Sequence, residues 1–348
     1  MDEKAFDPQG FLFRGLHPSV SLGTASDRYK GWIGQVYSEE FYRGRITSRT
    51  KKVARNSFRE EVLPVDSVRE YFQHFRILEI DYTFYAPLVE NGKPTQCART
   101  LTEYARHLRP EDRVFLKTPQ MFFARKVWRG KDFVPNEHYL APDAFTHRFY
   151  TPAIDILGPG LKGFIFEQEY QRKDARVSPV ALAGELDEFF GAIPGDPRYH
   201  IELRTEAYLC KPVLDVLRRH GVGQVLSHWT WLPNLKRQRA KSGGDFISAG
   251  GQTVIRLMTP LGVRYEDAYA KAFPFDRIVD DMLQPGMVPQ TAELMWEAIS
   301  EGKEINVIIN NRAGGNAPLI ARQLALKFAE MGRPKKKPPA GDSAESPA

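Results

Sequence analysis

Cysteine is nearly absent. Cys97 and Cys210 are the only two in 348 residues, and they lie far apart in the sequence. They offer no disulfide framework and no CxxC metal motif. No run of eighteen apolar residues occurs, and the opening Met1-Asp2-Glu3-Lys4 has no apolar h-region. The sequence therefore reads as a soluble, cytoplasmic protein without a membrane partner. Strong charge of one sign is also missing. The formal net charge is +6 and the pI about 9.1, part of it from Lys335-Lys336-Lys337. Such an excess suits anionic partners without selecting one. Finally, the first strand-like run is followed by Gly23-Thr24-Ala25-Ser26, which is not the GxGxxG turn of a dinucleotide-binding sheet.

What is present is a long alternation. With 42% hydrophobic residues, the chain can bury a large core. Short β-branched or aromatic runs predict strands at 19–23, 77–85, 113–117, 163–168, 199–204, 223–228, 252–258 and 305–309. Helical spacing predicts helices near 67–75, 98–108, 142–157, 179–191, 210–219, 289–301 and from 317 to about 329. Eight strands alternating with helices argue for an α/β fold, a (β/α)8 TIM barrel, over an open sheet. Long basic loops are expected after strands one and three, at 24–66 and 119–141. The barrel is expected over 19–330, with an irregular arm at 1–18 and a disordered Pro- and Lys-rich tail at 331–348.

The last strand–helix pair carries the densest local signal. Asn310 and Asn311 end a buried-type strand, Gly314 and Gly315 make a turn, and Asn316-Ala317-Pro318 opens a helix. Glycines let a backbone approach a ligand, and a helix start behind them favours an anion. Barrels place their chemistry at strand C-termini, so polar residues are expected to gather there. Glu79, Asp81 and Thr83 recur at period two, Lys117 ends strand three, and Glu167 and Glu169 share one parity. His200, Glu202 and Arg204 share another; His228, with Gln224 on its side, ends strand six, and Arg256 lies on strand seven. Burying so many charges is costly unless they pair or serve a ligand. Plain structural roles compete with functional ones: Glu202 and Arg204 as an ion-pair layer, Glu79 against Lys117, His228 as a hydrogen-bonded wall residue, and the two asparagines as turn caps.

Several pieces resemble the domain-of-unknown-function 72 (YecE-like) family. They are Gly23-Thr24 with Tyr29-Lys30-Gly31-Trp32, then Glu79-Ile80-Asp81-Tyr82-Thr83-Phe84-Tyr85, Phe115-Leu116-Lys117, Glu202-Leu203-Arg204, Val254-Ile255-Arg256-Leu257, and Asn310-Asn311 with Ala317-Pro318. They keep the family's order over about residues 20–328. The resemblance implies a TIM barrel with an open pocket at the strand C-termini, and implies no particular reaction. This chain departs from the family pattern at Ala25-Ser26-Asp27-Arg28, at Glu167-Gln168-Glu169-Tyr170, at His228 and at Met258-Thr259, which marks a divergent member.

Three functions compete. A phosphate-bearing small molecule would sit near Arg256, Arg312, Gly314 and Gly315, with Tyr29, Trp32, Tyr85, His228, Asn310 and Asn311 completing the binding set. Glu79, Asp81, Glu167 and Glu202 would supply acid or base, with Lys117 and Arg204 stabilising negative charge, as in a hydrolase or isomerase. Glu167, Glu202 and His228 would suit a divalent metal, and the sequence points to no other cofactor. Nucleic acid is the second candidate, through the basic residues of 43–59 and through 236–241 beside Trp229 and Trp231. A carbohydrate-active enzyme is the third, from paired carboxylates and stacking tryptophans. A pocket rich in Arg, Lys and Asn can also hold an anion without turning it over.

Overall fold

The structure, a computed structural model, describes residues 6–332. The start of the expected arm (1–5) and most of the expected tail (333–348) lie outside the described residues. Eight parallel strands close into a barrel: β1 Val20–Ala25, β2 Ile77–Ile80, β3 Arg113–Lys117, β4 Leu161–Gln168, β5 Tyr199–Leu203, β6 Gly223–His228, β7 Gln252–Leu257 and β8 Glu304–Ile309. Each pairs with its neighbours in sequence, and β1 closes the ring by pairing with both β2 and β8. The expected α/β class and (β/α)8 architecture are both present. Closure is tight at Gly23, where a Cβ would stand 2.0 Å from the Ile77 carbonyl oxygen. Only glycine fits there.

The intervening helices are α1 Val68–His74, α2 Gln96–His107, α3 Thr151–Leu157, α4 Pro179–Ala192, α5 Lys211–His220, α6 Leu235–Lys241, α7 Met287–Ser300 and α8 Ala317–Met331. Their starts follow the local chemistry. Thr95, Ser178, Asn234 and Asn316 accept hydrogen bonds from free first-turn amides, and prolines stand where an amide has no partner. The main core lies between sheet and helices, and a smaller one of Ile77, Phe115, Ile165, Val225, Val254 and Ile308 fills the barrel axis. Among the described residues, no helix is long and apolar enough to cross a membrane.

Four expected elements differ. The strand expected over 77–85 stops at Ile80, because Asp81 turns to helical geometry and Tyr82–Phe84 forms a 3-10 turn. The Thr83 hydroxyl lies within hydrogen-bonding distance of the Ile80 and Lys117 carbonyls, at 3.0 and 2.7 Å, and so caps the strand ends. Asp81 and Thr83 therefore do not repeat the direction of Glu79. The long loop 24–66 holds an antiparallel hairpin, Thr47–Val53 with Asn56–Val62, and the loop 119–141 holds a second, Lys126–Arg129 with Asp132–Pro135. The described part of the N-terminal arm is packed rather than loose. Phe11 and Phe13 are buried, and Arg14 donates to the Phe72 and Phe75 carbonyls and pairs with Asp112.

Candidate functional site

Strand parity decides which polar side chains meet. Residues on the parity of the axial core point inward, so Glu79, Lys117, Glu167, Glu202, Ser227, Arg256 and Asn310 form the layer above it. Arg256 is fully buried at the centre. Its guanidinium grips Glu79 through two bonds of 2.8 and 2.7 Å and also bonds Glu202. Arg204 joins Glu202 at 3.0 Å and Glu167 at 2.5 Å, while Lys117 pairs with Glu167 at 2.7 Å. Three carboxylates and three cations thus balance in one connected network, which offsets the desolvation that isolated charges would suffer. Glu79 pairs with Arg256 and not with Lys117, the partner that adjacent strands suggested.

Electrostatics separates the carboxylates. Burial pushes Glu167 up, but Arg204, Lys117 and Arg256 outweigh it and hold the carboxyl at about 2. A group so acidic stays ionised and is a weak base. Burial raises Glu79, with Arg256 opposing, yet Glu79 is fully buried, away from solvent. Arg256 is held above its ordinary range: burial works against the charge, and Glu202, Glu79 and Glu167 overcome it. The face of the network nearest solvent is Lys117, Glu167 and Arg204. Phe84 covers Lys117 at 3.9 Å, and Trp229 covers Arg204 at 4.8 Å.

Several candidates fall elsewhere. His228 pairs with Leu257 on the outer side of the sheet and bonds the Thr259 carbonyl through Nδ1 at 2.9 Å; burial lowers its pKa. It does not meet Glu167 and Glu202, so the suggested three-residue metal set is not assembled. Among the described residues, no group of three or more His, Cys, Asp and Glu side chains could hold a metal ion. Trp32 is not a pocket wall. It is fully buried and donates from Nε1 to Asn311 Oδ1 at 3.1 Å. The same oxygen accepts from the Ala317 amide, and Asn310 Oδ1 accepts from the Arg312 amide. The asparagines are turn caps.

The glycine turn is closed as well. A Cβ at Gly315 would lie 2.3 Å from the Arg277 carbonyl oxygen, and one at Gly314 would lie 2.9 Å from Leu283. The Val279 amide bonds the Gly314 carbonyl, and Asn316 caps the Leu319 amide. Segment 277–283 fills the space that an anion was expected to use, so Gly314 and Gly315 serve packing.

Arg312, after β8, has no acidic partner among the described residues. Among the described residues, the Arg312 side chain makes no hydrogen bond or ion pair, and its Nε is buried without an acceptor. It lies over the Tyr265 ring at 4.5 Å. Asp81 is its acidic counterpart. Its carboxylate makes no hydrogen bond or ion pair among the described residues, and it lines a cavity of about 420 Å³ beneath the first hairpin. Tyr29, Arg28, Lys51, Tyr82 and Tyr85 line the same space. Tyr85 is 75% exposed, whereas the hydroxyl of Tyr82 is buried and unpartnered.

Behind that cavity stands Asp27, a residue the motif reading passed over except as a departure from pattern. Burial lifts its pKa from 3.8 to about 6, against Arg28 and a 2.7 Å hydrogen bond from Tyr104. The folded chain therefore binds a proton that the unfolded chain lacks between these two values. Ionised Asp27 costs stability above about pH 6, and the cost fades as pH falls toward 3.8. Asp27→Asn is expected to stabilise by up to about 3 kcal/mol at pH 8 and by only about 0.5 kcal/mol at pH 4. Urea melts at the two pH values check this; equal effects at both would show that the charge carries no penalty.

Part of the basic charge is paired within the chain. On α6, Lys236 pairs with Glu293, Arg237 and Lys241 with Glu206, and Arg239 with Glu297 and Glu301. On the first hairpin, Arg49 and Lys51 both pair with Glu60, which also accepts from the Tyr269 hydroxyl. Glu169 accepts from the Arg125 amide at 3.0 Å, which ties the β4 end to the second hairpin loop.

Eight parallel strands, alternating helices and a polar layer at the strand C-termini define a TIM-barrel protein. The chain belongs to the family described as protein of unknown function DUF72, whose profile matches residues 21–343. Its fold is similar to that of a DUF72 family protein from Thermotoga maritima MSB8, at 18% identity and a TM-score of 0.52, covering 90% of this chain and 98% of that one. It is also similar to one from Enterococcus faecalis V583, at 15% identity and a TM-score of 0.51, covering 89% and 95% respectively. A comparison with curated proteins finds no match.

Proposed function

We propose that the barrel mouth binds a phosphate-bearing small molecule, with Arg312 as the principal anion contact and Lys117 and Arg204 nearby. The observation that carries this reading is the Arg312 side chain, which among the described residues has the Tyr265 ring beside it but no hydrogen-bond acceptor. A buried guanidinium N–H without an acceptor is costly, and an anionic ligand supplies the missing acceptor. The barrel-facing cations Lys117, Arg204 and Arg256 already have carboxylates. Guanidinium suits phosphate because its planar fork makes two parallel bonds. Turnover would draw on Glu167 only after the ligand displaces it from Lys117 or Arg204, since the paired carboxylate is too acidic to take a proton.

The test is a thermal-shift series with inorganic phosphate, sugar phosphates, nucleotides and neutral sugars. A ligand at 100 times its Kd adds about 2.7 kcal/mol of stability, a shift easily read. Phosphate compounds are expected to stabilise the wild type and not Arg312→Gln. Stabilisation by neutral sugars alone would replace this reading with a carbohydrate site.

A further inference from the structure

Three aromatic side chains meet on the rim above β4 and β6. Tyr170 follows β4, and Trp229 and Trp231 follow β6. The Tyr170 ring stands 6.1 Å from Trp229 and 5.8 Å from Trp231. Arg204 lies over Trp229 at 4.8 Å, so that ring is already engaged. Tyr170 and Trp231 are each 44% exposed. Neighbouring large rings left in water mark an interaction surface. Their backbones are fixed. The Thr230 amide donates to Thr259 Oγ1 at 3.1 Å, and its hydroxyl donates to the Val263 carbonyl at 2.6 Å. The Gln171 amide donates to Thr205 Oγ1 at 3.0 Å, and the Tyr208 hydroxyl donates to Gln171 Oε1 at 2.6 Å. A ligand stacking on these rings therefore has little backbone left to order.

Charge beside the rings selects among stacking partners. A neutral sugar needs free acceptors for its hydroxyls. The nearby carboxylates are mostly engaged: Glu167 by Lys117 and Arg204, Glu169 by the Arg125 amide, and Glu206 by Arg237 and Lys241. Segment 229–234 carries no ionisable residue. The turn that follows Tyr170 carries Arg172, Lys173 and Arg176 with Asp174 among them, all exposed. Among the described residues, the side chains of those three cations make no ion pair. The Arg172 carbonyl accepts from the Ala175 and Arg176 amides at 3.1 and 3.0 Å. One helical turn thus sets Arg172 and Arg176 on the same side. Cations beside exposed rings fit a chain of phosphates that carries unpaired bases.

We propose that this rim is a platform for single-stranded nucleic acid, with bases stacked on Tyr170 and Trp231 and phosphates on Arg172, Lys173 and Arg176. Duplex bases are stacked on one another, so a duplex offers the platform only its phosphates. The partner is distinct from the small molecule of the anion site, and the platform does not use Arg312. Fluorescence anisotropy of a labelled oligothymidylate with the full chain tests this. The wild type is expected to bind it, and to bind an abasic strand of equal length about tenfold more weakly or worse. Tyr170→Ala and Trp231→Ala should each weaken the oligothymidylate about tenfold, with thermal melts little changed because both rings already face water. Arg172→Gln with Arg176→Gln should lower the slope of log affinity against log salt by about 1.4, the share of two phosphates on a single strand. Arg312→Gln should bind the strand as the wild type does.

No binding by the wild type would overturn the platform. So would equal affinity for the abasic strand or for a duplex of the same length, or undiminished affinity in both ring variants. An unchanged salt slope in the double arginine variant would remove the phosphate contacts and sink the assignment. Binding of a neutral oligosaccharide, abolished by the ring variants, would replace nucleic acid with a glycan. Loss of oligonucleotide binding in Arg312→Gln would move the strand to the anion site and overturn the platform, leaving the anion reading in place.

Discussion

Arg256→Met is expected to lower stability by about 3–5 kcal/mol, because removing one member of a buried ion-pair network strands its partners. For a chain of this length that corresponds to a fall in Tm of roughly 5 °C. The stranded group is Glu79, which loses both of its bonds, while Glu202 keeps only Arg204. The further change Glu79→Met should recover much of the loss, since apolar replacement of buried ion pairs is often neutral or stabilising. Thermal melts of the single and double variants read this directly. A single variant that keeps its Tm but loses its response to phosphate would place Arg256 among the ligand contacts instead of the core. Arg312→Gln is the contrasting case, and its Tm should shift little, because no protein acceptor is left behind.

Gly315→Ala should cost about 3 kcal/mol, from a backbone conformation that only glycine adopts easily plus a contact that cannot relax. The residue has φ of +103°, and its Cβ would meet the Arg277 carbonyl oxygen and the Val279 amide, both backbone atoms. Urea denaturation checks the loss, and phosphate titration of the folded fraction should be unchanged. The opposite pattern, full stability with weakened phosphate binding, would restore the turn as an anion cradle.

Much of the fold was legible in the residues. The strands at 113–117 and 223–228 carry contiguous apolar runs bounded by polar or turn residues, and the structure has β3 and β6 over these same spans. Asn316 before α8 marked a helix start for a local reason, the free amides of a first turn. The hairpin inside 24–66 was not legible, because Thr47–Val53 and Asn56–Val62 are mostly exposed and polar on both faces. Without a buried face, alternation leaves no period to read. Asp81 illustrates the same limit at one residue: period two continues through it in the sequence, but the Thr83 hydroxyl ends the strand.

The sequence by itself determined the alternation of strands and helices, the parity that turns Glu79, Glu167, Glu202 and Arg256 toward the axis, and the membership in a barrel family. These follow from local periodicity, which each segment carries alone. Only the tertiary structure decided which charges are spent on one another. Arg256 and Glu79 are 177 residues apart and fully buried together, Trp32 clips Asn311 across 279 residues, and segment 277–283 closes the glycine turn. Among the described residues, Arg312 after β8 and Asp81 after β2 have no ion-pair partner. A charge is available to a ligand only when no neighbour in space neutralises it, and neighbours in space are set by closure of the barrel.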